Sequence, residues 1–107
     1  MGTKIELTHQ DKITDAFYVL ENLGYFVAQD FWCCQNCAWN ALTDEQALKA
    51  VFYHRQDADS LDADGNLKEY MYLAWAGDPI EIRKVLEANG LKVEHNGEQD
   101  DRIKLLP

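Results

Sequence analysis

The sequence predicts a single α+β domain in which two main helices pack on a mainly antiparallel sheet that ends in a β-hairpin. Three observations predict it. At 107 residues, 47% of them apolar, the chain has length and material for one core and none for a second. Two segments, one near the start and one in the last third, carry apolar side chains at helical spacing between good capping residues. The runs between and after them are short, rich in aromatic and β-branched residues, and alternate with the period of a strand.

The elements follow in order. Residues 1–8 read as an N-terminal extension and residues 9–107 as the domain. A first helix is expected over residues 9–23, because Ile13, Ala16, Phe17, Leu20 and Leu23 recur three or four apart and Asp15, Glu21 and Asn22 fall between them. Thr8 with Asp11 three residues on is a capping-box signature, and Gly24 suits the position after the last turn. "YFVAQDFWCC", residues 25–34, reads as a strand or extended segment, and "QNCAWNAL" as a short helix. "AVFYHR" (50–55) and "EYMYLAWA" (69–76) are the clearest strands. In the first, Phe52 and His54 share a face opposite Val51, Tyr53 and Arg55; in the second, Met71, Leu73 and Trp75 oppose Tyr70, Tyr72 and Ala74. The polar stretch "QDADSLDADGNLK" between them is expected to be a loop. A second main helix over 79–89 has Asp78 as cap, Pro79 in the first turn, Ile82, Val85 and Leu86 as its buried stripe, and Gly90 beyond its end. The tail reads as a hairpin. A two-residue turn at Asn96-Gly97 would set Val93 and Leu91 against Asp100 and Arg102. A loop over 96–100 instead pairs Val93 with Ile103 and Leu91 with Leu105, placing four apolar side chains on one face, so that register is preferred.

Composition narrows the function classes. Ten basic against nineteen acidic residues give a formal charge of −9, which opposes direct nucleic-acid binding and attachment to anionic membranes. No apolar run is long enough to span a bilayer and no secretory signal is visible, so a cytoplasmic protein is expected. Three clustered cysteines, an odd count, fit free thiols in a reducing compartment better than a disulfide framework. Phe26, Phe31, Trp32, Trp39 and Trp75 are more large aromatics than a small core easily hides. That points to a protein partner, a second copy of the chain among the candidates.

The cysteines concentrate the chemistry. Cys34-x2-Cys37 is a legitimate half of a zinc site, but a second pair is missing and only His54 is a credible distant ligand; the metal candidates are therefore Cys34, Cys37 and His54. The same pair could be a thiol redox centre, although thioredoxin-like proteins carry it in a βαβ unit facing a cis-proline. Here the prolines are only Pro79 and Pro107, and no βαβ order is evident. A nucleophilic arrangement would use Cys34 with His54 as base and Asp57 orienting it. The plainer expectation is that Cys33, Cys34 and Cys37 are mostly buried as small hydrophobes among Phe31, Trp32 and Trp39. The loop around Asp62, Asp64 and Gly65 fails as a calcium loop, with Ser60 and Met71 at its two ends, and reads as Asp-Gly turn chemistry.

Phe31, Cys33, Cys34 and Cys37, then Phe52, His54, Gln56 and Asp57, then Tyr72, Leu73 and Trp75, and finally Gly90, Leu91, Val93, Arg102 and Ile103 together resemble the pattern of an uncharacterised bacterial family of unknown function. That pattern is an aromatic before C-C-x-x-C, followed by F-x-H-x-Q-D and Y-L-x-aromatic. The resemblance covers the chain from about residue 12 onward. It implies a common fold and a focus on the cysteines and the cluster of His54, Gln56 and Asp57, and it brings no known activity. Ala38 stands where the family usually has glycine, and His95 where it usually has tryptophan, which sets His95 outside any shared site. The functional expectation is a small acidic, non-enzymatic protein-binding or accessory module. The alternative is a zinc or thiol-redox site on Cys34, Cys37 and His54.

Overall fold

A computed structural model of the chain describes residues 7–33, 35–95 and 102–107. The elements are α1 (His9–Asn22), β1 (Phe26–Ala28), α2 (Gln35–Ala41), a 3-10 turn (Gln46–Leu48), β2 (Ala50–Phe52), α3 (Arg55–Ala58), β3 (Met71–Ala76), α4 (Pro79–Ala88), β4 (Lys92–Glu94) and β5 (Ile103–Leu106). They build an α+β fold around a five-stranded sheet of order β1-β2-β3-β5-β4. All neighbours are antiparallel except β1 and β2. Among the described residues no helix is long and apolar enough to cross a membrane.

The two main helices form for the local reasons read from the sequence. The Thr8 hydroxyl accepts the Asp11 N–H at 3.1 Å while the Thr8 N–H donates to the Asp11 carboxylate at 3.1 Å, closing the capping box. Asp78 accepts the Ile80 and Glu81 N–H groups, with Pro79 in the first turn. Ile13, Ala16, Phe17 and Leu20 of α1 and Ile82 and Leu86 of α4 are buried on one sheet face against Val51, Met71, Leu73, Trp75, Val93, Ile103 and Leu105. Each large side chain so buried contributes about 1.5–3 kcal/mol. Leu23, expected in the α1 stripe, is instead the exposed C-cap residue, one position beyond the helix.

On the opposite face the described residues build a second, smaller cluster. Ala38 of α2 packs on Ala50, Phe52 and Ala74, with Phe26, Ala28, Phe31, Trp39 and Leu42 around them. Phe52 is the hub, its ring 5.7 Å from that of Phe31 and 4.9 Å from that of Trp39, both edge-on. This cluster sits over β1, β2 and the nearer part of β3. No described helix packs on the same face of β5 and β4.

Four expectations change. The strand expected over 25–34 stops at Ala28, because Asp30 (φ 51°) and Trp32 (φ 62°) take left-handed backbone and break the extended run. The strand expected over 50–55 stops at Phe52; His54 keeps extended dihedrals but caps α3, and the polar segment after it winds one turn instead of remaining loop. The absence of βαβ order does not hold either, since β1 and β2 pair in parallel across a connection that contains α2. The hairpin buries Leu91, Val93, Ile103 and Leu105 as expected, but Val93 faces Leu105 rather than Ile103. A shift of two residues leaves every side chain on its face, so alternation alone cannot choose between the two registers. Its loop over 96–100 lies outside the described residues, as do residues 1–6 of the N-terminal extension.

Candidate functional site

At the end of β2 the chain turns from strand to helix, and that turn presents His54 and Asp57. They stand three apart across the first turn of α3, which brings the His54 Nε2 within 3.2 Å of an Asp57 carboxylate oxygen. The two side chains are 5% and 13% exposed, so this is a buried pair rather than a surface one. Burial raises the Asp57 carboxyl above its ordinary value, against the opposing pull of His54, of the Arg102 guanidinium and of the His54 backbone N–H. The other imidazole nitrogen, Nδ1, is buried and has no hydrogen-bond partner among the described residues. A buried polar atom left without a partner costs about 1–3 kcal/mol.

The sheet register relates the site to the β3 and β5 side of this face. Extending the β2–β3 pairing two residues past Phe52 and Ala74 sets His54 across from Tyr72. Tyr72 pairs with Lys104, and Lys104 with Glu94. The Arg102 guanidinium lies 4.5 Å from the centre of the Tyr72 ring. The Lys104 ammonium lies 4.5 Å from that of Tyr70, 5.7 Å from that of Tyr72, and 3.3 Å from a Glu94 oxygen. The Glu94 hydrogen bond holds the Lys104 ammonium above its usual range. Tyr70 is 53% exposed, and the Ser60 hydroxyl donates to its carbonyl at 3.0 Å, fixing the loop beside it.

On the other side of His54 lies the strained turn. The Phe31 N–H donates to the Tyr53 carbonyl and the Arg55 N–H to the Trp32 carbonyl, both at 2.9 Å, so residues 31–32 run beside residues 53–55. Left-handed backbone at a tryptophan costs on the order of 1–2 kcal/mol. The Phe31 ring, packed on Phe26 and Phe52, anchors the turn against that strain. The Trp32 side chain is left 54% exposed. Asp30 and Arg55 add an exposed ion pair at 3.6 Å, worth about 0–1 kcal/mol.

Of the residues singled out from the sequence, His54 and Asp57 meet, and Gln56 points to solvent. Cys34 lies outside the described residues. Cys33 and Cys37 are exposed, which corrects the expectation of mostly buried thiols: α2 buries Ala38 and packs Trp39 instead, turning Cys37 outward. Among the described residues no three His, Cys, Asp or Glu side chains are grouped to hold a metal ion. His95 stacks edge-on against Trp75 at 5.3 Å, in contact with the core. Reading the residues one by one missed Arg102 beside Asp57, and Tyr72 beside Arg102 and Lys104. The missing signal was register, since β3 and β5 bring them together across thirty residues of sequence.

No curated protein and no solved structure matches this chain. A family model does, over residues 5–107, and on that match the chain belongs to the family described as a domain of unknown function, DUF6891.

Proposed function

We propose that the chain is a small, non-enzymatic binding module that docks a protein partner on the open half of its sheet. The observation behind this reading is the asymmetry of the two faces: one is filled by α1 and α4, whereas the other presents Tyr70, Tyr72, Arg102 and Lys104 with no described helix over them. A sheet face left open in this way, with an exposed aromatic and cations, has the composition of a recognition surface. The exposed Cys33 and Cys37 suit a reducing compartment, so the same reading sets the protein in the cytoplasm. Panning a random peptide display library against the folded protein tests it. One enriched family of sequences should bind the wild type and lose binding to Tyr72→Ala. Enrichment of nothing, or of sequences indifferent to Tyr72, would sink the proposal.

A second reading, a zinc or thiol centre on Cys34, Cys37 and His54, is favoured by one specific observation. Asp57 holds one imidazole nitrogen of His54, and the other has no partner among the described residues. A carboxylate that fixes a histidine in this way is what orients it toward a metal ion or a thiol. Cys34-x2-Cys37 would supply the thiolates. Protein purified without chelator should then carry about one zinc per chain, lost in His54→Ala. Metal-free protein whose thiol reactivity is the same with and without His54 would dismiss this reading.

A further inference from the structure

We infer that His9 is an acid-sensitive latch on the loop between α3 and β3. With its Nδ1 unprotonated it holds the tip of that loop against the start of α1, and a proton taken from solvent releases the tip. The tip is a tight unit of its own. Leu61 and Leu67 bridge its base, and the Asp62 carboxylate accepts the Asp64 and Asn66 N–H groups, both at 2.9 Å. Hydrogen bonds tie this unit to α1. The Gln10 N–H donates to the Gly65 carbonyl at 2.9 Å, the His9 N–H to the Asn66 side-chain oxygen at 3.3 Å, and the Leu67 N–H to the His9 Nδ1 at 2.9 Å. Gly65, at φ 89°, permits the approach, since a Cβ there would lie 3.1 Å from the Gln10 side-chain oxygen and 3.3 Å from the Thr8 hydroxyl. Leu67, so held, is buried in the main core cluster. Of these bonds only the last depends on protonation. A backbone N–H can only donate, so the bond needs a lone pair on Nδ1, and an imidazolium, protonated on both nitrogens, has none to offer. Protonation also sets a cation at the first position of α1, where the helix dipole opposes it. The charged groups facing the ring among the described residues are Lys12 on α1, Lys92 on β4 and Asp62 on the tip. Burial first, then the two lysines, hold His9 below its ordinary 6.5 against the pull of Asp62. The preference for the latched state is therefore full above 6.5, the value of a freed histidine, and is lost as pH falls from there through the lowered value. Asp62 does not switch in that window, because the N–H groups it accepts, that of Asn66 above all, hold its carboxyl below the ordinary 3.8. The tip is thus released as a formed unit, and the segment leading into β3 is loosened with it.

Amide hydrogen exchange followed by NMR on the full chain, between about pH 4.5 and pH 7.5, tests this, with the His9 ring protons titrated in the same samples. Corrected for intrinsic exchange, the protection of the Leu67 amide should fall about tenfold per pH unit between 6.5 and the His9 value, then level off. It should also stay below the protection of the β3 amides, which open only with the fold. His9→Asn keeps an acceptor near the position of Nδ1 but cannot titrate, so its Leu67 protection should be level over the same range. A thermal melt confirms that the variant folds. Wild-type Leu67 protection that ignores the His9 titration overturns the latch, whether or not the variant folds. A slope retained in His9→Asn overturns it too. So does a Leu67 amide that exchanges no faster than those of β3, because the tip would then open only with the whole domain.

Discussion

Replacing His54 and Asp57 singly and together measures whether the buried pair behaves as one unit. His54→Phe keeps most of the ring volume and removes both nitrogens. It eliminates the orphaned Nδ1, recovering about 1 kcal/mol, but strands a largely buried carboxylate, costing about 2–3 kcal/mol. The net expectation is a loss of about 1–2 kcal/mol. Asp57→Leu strands the second imidazole nitrogen as well as the first and should cost about 2 kcal/mol. The double variant removes every stranded group, and exchanging both partners for apolar ones of similar shape is close to neutral. It should therefore lie within about 1 kcal/mol of wild type, which makes the coupling energy about 2–4 kcal/mol. Urea unfolding followed by tryptophan fluorescence reads these differences. Thermal melts serve as a second probe, each kcal/mol moving the midpoint by about 4–8 °C in a domain near this size. Additivity within about 0.5 kcal/mol would mean that the two side chains do not act on one another, and the site would lose its centre.

Three further outcomes follow from the same structure. Because Asp57 is held above its ordinary value of 3.8, the native state binds more protons than the unfolded chain over that window. Its contribution to stability is therefore full below 3.8 and is lost as pH rises through the raised value; Asp57→Asn should flatten that part of the pH–stability curve, and an unchanged curve would assign the slope elsewhere. Burial pushes both Tyr25 and Tyr53 up to about 12, helped in Tyr25 by the hydrogen bond to Glu81. Two of the five tyrosines should thus resist ionisation until about that pH in a spectrophotometric titration, and Tyr53→Phe should leave only one. Gly77 sits at φ 116°, and a Cβ there would lie 2.9 Å from the Tyr25 ring, whose hydroxyl bonds Glu81 and the Asp78 N–H. Gly77→Ala should cost about 2–3 kcal/mol in urea unfolding, and a loss under about 0.5 kcal/mol would contradict the strain argument.

What could be read from the sequence was what local physics decides. The caps at Thr8 and Asp78 and the stripes through Ile13, Phe17, Leu20, Ile82 and Leu86 depend on residues a turn apart, and they formed as expected. The buried face of the hairpin depends only on alternation and was legible; the partner of Val93 depends on the loop between β4 and β5 and was not. α3, a single turn, is too short to leave a periodic signal, and it is tied at its start by the Arg55 N–H to the Trp32 carbonyl, a long-range contact. The left-handed Trp32 is invisible for a stronger reason: an aromatic side chain argues against that backbone conformation, and only the surrounding packing imposes it. At the site, the meeting of His54 and Asp57 was legible because three-residue spacing suffices. Arg102 and Tyr72 were not, because they reach the pair only through the order of strands.

Part of the family resemblance gathers at one place, while Leu73, Trp75, Leu91, Val93 and Ile103 belong to the core on the other sheet face. Phe31 stacks on Phe52; Trp32 is bonded to Arg55, next to His54; His54 meets Asp57; the Arg102 charge acts on Asp57; and Arg102 covers Tyr72. Four chain segments far apart in sequence thus contribute to one chain of contacts on one sheet face. Packing accounts for part of it, since Phe52, Leu73 and Ile103 are fully buried hydrophobes that a core of this shape needs. Packing does not account for His54, whose second nitrogen has no partner among the described residues, where a leucine or phenylalanine would need none. Nor does it account for the half-exposed Trp32, held in strained backbone to reach solvent. A fold under selection for stability alone would remove both costs with single substitutions. Both costs fall beside the same turn, where residues 31–32 run against residues 53–55.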